Sequence, residues 1–497
     1  MPLNQLTPLP KFRTDMVTRR LCATVHLDHA FARQVLAQLA EDGLQAVGLP
    51  FGINVVALVR HARLAAQRRG RRDNALAGLV ALQVLCVLMV LWALSAGSAP
   101  VAVAAGFIAV AALPGGWTVV LLAEREARQL ALELGRGHQP ASDLAPPVEP
   151  ELEKSLEQLK RANFVPYHSS EDHARPFVGS GWLIQKGVWT PIDVSRPAKD
   201  AHGNTRRIIP FDASDLHHYL AVQMPGIVGL DALKARNRLY AHGLIVAHLG
   251  PDVLPVPTRR PLVTVPKQMV QSGAVRSGAR TETYLCLRMA GEGGSVVVTM
   301  HIRAHLMGSR LDWEVAAYIL PPLDARFDVV DHLPAGPGQL WWQTARHTTA
   351  GFRHTFFGAP GRLRRERSRQ NAWNRQLAKI RKEITKGRIV FDYGAHSSLR
   401  EDVGDWDRMG FHEERDAAQY FQRLQQGVLI ATERFLEAHN VDTSDFESAQ
   451  NQIINTQTYN IQGPVLGPSQ WGNNNQQQNQ NQNQSGNPGN PPNKPLP

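Results

Sequence analysis

Ala75-Leu-Ala-Gly-Leu-Val-Ala-Leu-Gln-Val-Leu-Cys-Val-Leu-Met-Val-Leu-Trp-Ala-Leu94 is an apolar run in which Gln83 is the only strongly polar side chain. A hydrocarbon core about 30 Å thick requires about 20 apolar residues in a helix, so this run has the length of one membrane span. Residues 101–123 form a second run without an ionisable group, and the turn residues of Ser95–Pro100 separate the two. The sequence therefore predicts a two-helix transmembrane hairpin with spans at 75–95 and 101–123.

The residues that flank the two runs predict the orientation of this hairpin. The connecting loop has no lysine or arginine, whereas arginines precede the first span and follow the second at Arg60, Arg63, Arg68, Arg69, Arg71, Arg72, Arg125 and Arg128. Positive charge is enriched on the cytoplasmic side of membrane proteins. We therefore expect a multi-pass membrane protein with both termini in the cytoplasm and the lipid bilayer as its first partner.

Composition supports a cytosolic location for the rest of the chain. The 497 residues carry a formal net charge of +11, which suits a neighbour of anionic lipid or of nucleic acid. The three cysteines, Cys22, Cys86 and Cys286, lie far apart, so no disulfide framework is predicted. The first residues lack the charged-then-apolar order of a cleavable signal, and we expect the first span to act as the insertion signal.

The N-terminal quarter resembles a known group of proteins. The segments Arg20–Asp28 and Ala46–Asn54, the tripeptide Val59-Arg-His61 and the arginines before the paired spans are similar to a group of uncharacterised actinobacterial two-span membrane proteins. The resemblance implies a bacterial inner-membrane location. It implies no catalytic residue.

Changes in composition divide the chain into regions. We predict a membrane protein with a two-helix transmembrane hairpin, a cytosolic α+β domain and a disordered Asn/Gln-rich tail. The regions are a cytosolic helical part at 1–72, the hairpin at 73–124, a helix and proline-rich linker at 125–150, the α+β domain at 151–335, an aromatic and basic membrane-apposed region at 336–390, a C-terminal helical region at 391–446 and the tail at 447–497.

Alternating residues predict a β-meander over 282–320. A two-residue turn at Gly308-Ser309 would place Ala304 opposite Trp313 and Arg303 opposite Glu314. Closing the preceding strand through Gly291–Gly294 would place Leu285 opposite Met300. We expect one face of this meander to be buried and the other, which carries His301, Arg303 and His305, to be solvated.

The sequence contains no recognisable catalytic or cofactor motif. His301, Arg303, His305, Asp312 and Glu314 could form a catalytic cluster, but cross-strand charge pairs are ordinary on a solvated sheet face, and no nucleophile is placed beside them by the sequence. Val178-Gly-Ser-Gly-Trp182 is not a Gly-x-Ser-x-Gly elbow. Cys22, His26 and His29 could share one helical face as metal ligands, yet their spacing matches no common zinc pattern, and we favour a structural role. We expect neither enzymatic activity nor a cofactor or metal.

Aromatic residues followed by a basic run predict a surface for anionic lipid headgroups. Nucleic acid would suit the same residues, but in a chain tethered to a bilayer we favour the anionic cytosolic leaflet. A solvated charged helix remains the alternative for the basic run alone. The expected lipid contacts are Trp341, Trp342, Phe356, Arg364, Arg365, Arg367, Lys379, Arg381 and Lys382.

Near the C-terminus, residues 412–440 read as a helix with an apolar seam that could either dock on the domain or pair with another copy. The tail core Asn460-Ile-Gln-Gly-Pro-Val-Leu-Gly467 resembles bacterial amyloid-type signalling motifs, which implies possible homo-oligomers through self-association of Ile461, Gln462, Gly463, Val465, Leu466 and Gly467. A disordered polar tail is the alternative, and we favour it.

From these features we expect a membrane-tethered, non-enzymatic scaffold or signalling component that faces the cytoplasm. The alternatives are a membrane-perturbing effector activated by assembly of the tail, and a membrane-anchored enzyme of unknown reaction.

Overall fold

The computed structural model describes residues 15–168, 176–276 and 280–444, together with residues 446, 450 and 453. It begins with helices α1 (Met16–Leu27) and α2 (His29–Leu36), and a π-helical turn over Ala37–Glu41 extends α2. Two long helices follow, α3 (Val55–Ser95) and α4 (Ala99–Arg136). Asp28 separates α1 from α2 because its side chain caps the second helix. Cys22 and His26 therefore lie on a different helix from His29, and the three do not share the face that the sequence suggested.

Helices α3 and α4 are long and apolar enough to cross a membrane. A belt of exposed large apolar side chains covers them between residues 82 and 122, including Leu85, Leu88, Trp92, Phe107 and Leu122. A monomeric protein in water rarely exposes an apolar surface of this extent. The belt lies within the two predicted spans, but it begins at residue 82 rather than at 75, and Leu76 is buried.

Both long helices continue beyond the predicted spans. The basic segment before the first span belongs to the same unbroken helix, α3. Pro100 lies in the first turn of α4, where a proline is tolerated. Pro114 lies inside α4, and the helix continues through it to Arg136.

The proline-rich segment after α4 is packed rather than free. The Arg60 side chain on α3 donates to the Ser142 carbonyl and forms an ion pair with Glu153, with an N–O distance of 2.6 Å. Glu153 lies on α5 (Pro150–Gln158), and Leu156 of that helix is buried in the core of the N-terminal helices. The segment that the sequence suggested as a linker is therefore held against α3.

A mixed sheet of seven strands forms the centre of the remaining chain. Its strands are β1 (Phe164–Tyr167), β2 (Trp182–Val188), β3 (Ile192–Asp193), β4 (Lys234–His242), β5 (Thr281–Ala290), β6 (Val297–Met307) and β7 (Arg310–Leu320). The strand order is β1-β4-β5-β6-β7-β2, with β3 also paired to β7. Among the described strands, β1 and β4 form the parallel pair and the other pairs are antiparallel.

The predicted meander is confirmed as β5, β6 and β7. Ala304 pairs with Trp313 and Arg303 with Glu314, as the two-residue turn requires. The register of β5 differs from the expectation, because Leu285 pairs with Ile302 rather than with Met300. The shift is two residues, which keeps the same side chains on the same face. The physical reason is a longer connection, in which Gly293 and Gly294 both adopt positive φ.

The expectation of one solvated sheet face is wrong, because both faces are covered. The first face packs against α6 (Ala213–Gln223) and the helix over Phe411–Ala438. Helix α7 (Lys267–Val275) packs beside β4 and β5. The second face is covered by Leu49, Phe51 and Phe177, which come from segments without a regular apolar period. The solvated polar face was inferred from the alternation within β6 and β7, and these strands carry no information about the covering segments.

The remaining helices are α8 (Pro337–Phe357), α9 (Ala359–Thr385), the short α10 (Leu399–Asp402) and α11 (Phe411–Ala438). The predicted seam of α11 is entirely buried in the main core, at Ala417, Phe421, Leu424, Val428, Ala431 and Phe435. The seam therefore docks on its own domain, which was one of the two outcomes left open.

Candidate functional site

Helices α8 and α9 form a hairpin beside the two long helices. Leu340, Thr344, Thr348 and Phe356 of α8 are buried, and their spacing places them on one helical face. The indole N–H of Trp117 on α4 donates to the Thr349 hydroxyl at 3.2 Å. A Cβ at Gly116 would overlap the ring of Phe356, so glycine is needed for this close approach. Helix α8 thus runs along α4 and ends beside its apolar part.

An ionic network ties the start of α9 to both long helices. The guanidinium of Arg362 donates two hydrogen bonds of 2.9 Å to the carboxylate of Asp73 on α3. Arg72 donates to Asp73 at 3.0 Å and to Glu124 on α4 at 3.2 Å, and Arg128 donates to Glu124 at 3.1 Å. We call these five residues the hairpin clamp. They fix α9 beside the point where the apolar part of α3 begins and the apolar part of α4 ends.

A groove of about 650 Å³ lies between α3 and the first turns of α9. Its basic wall is formed by Arg364, Arg367 and Arg375. Ala77 of α3, at the start of the apolar run, and Leu363 of α9 line its apolar side. We call this feature the α3–α9 groove. Its arrangement suits a ligand with an anionic part and an apolar part.

The structure separates the residues that the sequence grouped as lipid contacts. Arg364, Arg365 and Arg367 are all exposed, and of these three Arg364 and Arg367 line the α3–α9 groove. Trp341 and Trp342 are exposed, but they precede Phe356 by about 15 residues, or about 22 Å along a helix. Lys379, Arg381 and Lys382 lie on the part of α9 that is a similar distance beyond Arg364.

Phe356 is placed differently from the expectation. Its side chain is fully buried in a cluster with Leu76, Val120 and Ala359, so it is a packing residue rather than a lipid contact. The neighbouring Phe357 is about half exposed at the turn of the hairpin. Phe356 shares the buried helical face of Leu340 and Thr348, and Phe357 lies on a different face of α8.

The polar residues of β6 form a buried hydrogen-bond network. The His301 imidazole contacts the Ser180 hydroxyl through Nε2 at 2.8 Å and the Tyr240 hydroxyl through Nδ1 at 3.2 Å. The ring of Phe177 stacks on His301 with centroids 4.0 Å apart. Burial, together with the positive charge of Arg238, holds the pKa of His301 well below its usual range. His301 is therefore a neutral buried residue, contrary to the solvated position that we expected.

The structure thus places a serine beside His301, which the sequence did not. Ser180 lies in a turn where Gly179 and Gly181 have positive φ and donate their N–H groups to the carboxylate of Glu401 at 2.8 and 2.9 Å. A serine and a histidine in contact are also the elements of nucleophilic catalysis. Both side chains are inaccessible to solvent, so the arrangement suits packing of the sheet face.

Arg303 and His305 pair differently from the expected cross-strand contacts. Arg303 forms an ion pair with Glu282 on β5 at 3.0 Å, although its register partner is Glu314. His305 contacts Glu314 at 3.4 Å rather than Asp312. The charge pairs are thus diagonal. Arg303 is itself buried, whereas the side chain of Glu282 is 41% exposed, so this pair lies at the boundary between the buried sheet face and solvent.

A second histidine cluster lies where the parallel strands β1 and β4 end. The Nδ1 atom of His168 is 2.9 Å from the carboxylate of Asp392, and its ring lies 3.6 Å from the ring of His396. His242 ends β4 close by, and burial lowers its pKa, as do the charges of Arg280 and His168. The carboxyl ends of parallel strands are frequent ligand sites. A partly exposed histidine paired with a carboxylate has the components of a general base.

Two histidines of the N-terminal helices, His26 and His61, are buried and contact each other. His26 Nε2 lies 2.9 Å from His61 Nδ1, and His61 Nε2 donates to the Ala141 carbonyl at 2.8 Å. Burial, together with the charge of Arg68, lowers the pKa of His26. In the described part of the chain, no group of three or more His, Cys, Asp or Glu residues is arranged to hold a metal ion.

Other predicted features lie outside the described residues. These include the self-association residues Ile461, Gln462, Gly463, Val465, Leu466 and Gly467.

Comparison with known proteins gives one match. Residues 188–474 match the AbeC-like domain family, and because this is more than half of the chain, the protein belongs to that family. The matched part begins at the end of β2 and includes the α8–α9 hairpin, but it excludes α3 and α4. No curated protein and no solved structure matches the chain.

Proposed function

We propose that this protein is a membrane-tethered, non-enzymatic scaffold or signalling component on the cytoplasmic side of the bacterial inner membrane. The observation that carries the proposal is the apolar belt on α3 and α4, which is confined to residues 82–122. Helical turns rich in arginine lie at one end of the belt, before the first apolar run and after the second. The loop that connects α3 and α4 at the other end has no basic residue. The positive-inside rule then places both termini and the sheet domain in the cytoplasm.

The α8–α9 hairpin supplies a second contact with the bilayer in this proposal. Its turn carries the half-exposed Phe357 beside the apolar parts of α3 and α4. Arg364, Arg365 and Arg367 follow within three turns and would face anionic headgroups, where each basic side chain contributes about 1 kcal/mol. Two separate membrane contacts would restrict rotation of the domain, which is a useful property in a scaffold.

Topology labelling in sealed inverted and right-side-out vesicles tests the membrane part of the proposal. The native cysteines Cys22, Cys86 and Cys286 are buried, so their background reaction with an impermeant maleimide should be low. We expect Ser98→Cys, in the connecting loop, to react only in right-side-out vesicles, and Ser155→Cys, on α5, only in inverted ones. Reaction of both positions from the same side, or release of the protein by alkaline carbonate, would contradict it.

One observation favours a second candidate, a membrane-anchored enzyme. The pair of His168 and Asp392 is partly exposed at the end of the parallel strands, whereas the His301 face that first suggested an enzyme is buried. A hydrolase screen of the reconstituted full chain, with His168→Ala and Asp392→Asn as paired variants, tests it. Turnover that both variants abolish without loss of stability would replace the scaffold proposal.

A further inference from the structure

We propose that the α3–α9 groove is a specific binding site for one anionic phospholipid. The inference rests on the proposed membrane insertion of α3 and α4 and goes beyond it. General attraction to the leaflet requires only net positive charge, whereas a site requires an anion position and an acyl-chain path fixed relative to each other. The groove has both of these features.

The arginines of the basic wall form no ion pair within the described residues. Arg364, Arg367 and Arg375 all line it, and within the described residues no carboxylate forms an ion pair with them. The nearby acids are already engaged, since Asp73 is bound by Arg362 and Glu366 lies 3.4 Å from Arg33. A phosphate in the groove would complete this charge arrangement, because guanidinium groups bind phosphate oxygens through paired hydrogen bonds.

Uncharged donors extend the polar part of the groove. The side chains of Asn74, Ser368 and Asn371 lie along it between the arginines. Amides and hydroxyls both donate and accept hydrogen bonds, so they suit the hydroxyls or the ester oxygens of a glycerol headgroup. This lining favours a phosphate that is part of a larger polar group.

The apolar side of the groove points to a lipid rather than a soluble phosphate. Ala77 lies at its edge, and Val84 and Leu88 follow on the same helical face two and three turns further along α3. Both side chains are more than half exposed. An acyl chain lying on this face would cover them while the phosphate lies among the arginines. The length and direction of this path match a lipid standing in the cytoplasmic leaflet.

The hairpin clamp preorganises the site. Arg362 and Asp73 join α9 to α3 next to the groove, so its two walls are held at a fixed spacing before any lipid enters. A preformed site loses less conformational freedom on binding than a flexible basic segment. For this reason we assign one lipid to a defined position rather than a diffuse shell of counterions.

Lipid retention tests this inference. Full-length protein is placed in nanodiscs of phosphatidylcholine containing 10% phosphatidylglycerol and transferred to mild detergent, and native mass spectrometry counts the bound phosphatidylglycerol. We compare R364Q/R367Q with K379Q/K386Q, which removes the same charge from exposed positions at the far end of α9, outside the groove. We expect one phosphatidylglycerol per chain in the wild type and in K379Q/K386Q, and about 30-fold weaker retention in R364Q/R367Q, which corresponds to about 2 kcal/mol.

Steric block of the groove provides an independent test. Ala77→Trp fills the apolar edge without changing any charge, and we expect it to reduce retention as well. Equal loss in the two charge variants would overturn the inference in favour of general leaflet attraction, and equal retention in all variants would also overturn it. Co-purification of every variant with the nanodiscs separates these results from failure of the proposed function, in which the protein would not insert at all.

Discussion

Replacement of Arg362 by Gln should release the α8–α9 hairpin from the long helices. The Arg362 guanidinium makes two 2.9 Å hydrogen bonds to Asp73, whose side chain is only 11% exposed. The variant removes both bonds and leaves Asp73 with the single bond from Arg72. The packing of Ala359 against Leu76 remains, so the expected result is local opening of α9 rather than global unfolding.

The contacts set the size of this effect. A hydrogen bond to a charged group contributes about 1.5–3 kcal/mol, so two of them would give about 3–6 kcal/mol in a fully buried site. Arg362 is a quarter exposed, and Asp73 keeps one partner, so we reduce the expected loss to about 2–3 kcal/mol. This loss corresponds to an opening equilibrium of α9 that is about 30 to 150 times more favourable.

Hydrogen exchange of the protein in nanodiscs measures this opening directly. Amides of residues 366–375 should lose protection by the stated factor. Arg365→Gln is the matched control, because its Nε donates only to the Gly361 carbonyl within α9, and it should change protection by less than about threefold. The reasoning is refuted if Arg362→Gln leaves exchange unchanged, or if Arg365→Gln has the same effect. In a double-mutant cycle, Asp73→Asn should cost little more once Arg362 is replaced.

Further predictions concern packing and pH. Gly116→Val should destabilise the docking of α8 by about 2–3 kcal/mol because the new side chain overlaps Phe356, and Phe356→Ala in the same chain should restore part of this loss in thermal unfolding. Burial lowers the pKa of His217 to about 3 and that of His301 well below its usual range, so the unfolded state binds more protons below about pH 6.5. Chemical denaturation should therefore show full stability above pH 6.5 and a decline of about 1.4 kcal/mol per pH unit for each histidine as the pH falls, and His217→Gln should remove its share. Phe421→Ala on the buried seam of α11 should reduce stability by about 3–5 kcal/mol without changing the sedimentation of the chain, whereas dissociation of an oligomer would favour the coiled-coil alternative.

Local sequence patterns predicted those features that depend on neighbouring residues. The turn at Gly308-Ser309 fixed the β6–β7 register because a two-residue connection allows one pairing of Ala304 with Trp313. The apolar period of α11 likewise identified six residues that are buried in the main core, although it did not include Leu429 and Leu436, which are buried there too. The observed pairing of β5 with β6 differs from the predicted pairing by two residues, because a longer connection with two glycines in positive φ permits several pairings.

Features built from distant segments could not be predicted in this way. The burial of His301 depends on Phe177, which lies more than 120 residues earlier in a segment without regular period. The basic run on α9 was visible in the sequence. Which of its arginines line the α3–α9 groove depends on the contact between Arg362 and Asp73, which are almost 290 positions apart. The glycines on both sides of Ser180 were the one local sign of a special turn there.

The continuity of α3 gives the molecule a mechanical property. The helix has 41 residues and is therefore about 60 Å long, and its first half is built into the N-terminal core through Val55, Leu58 and Ala62. If α3 spans the bilayer as proposed, it would act as a lever with its pivot near Asp73, where the hairpin clamp holds it. Bilayers of different thickness tilt a spanning helix to different degrees. A tilt of about 10° would move the buried end, about 27 Å from the pivot, by about 5 Å. The thickness of the surrounding lipid would thus be converted into displacement of the helical core on which the sheet domain rests.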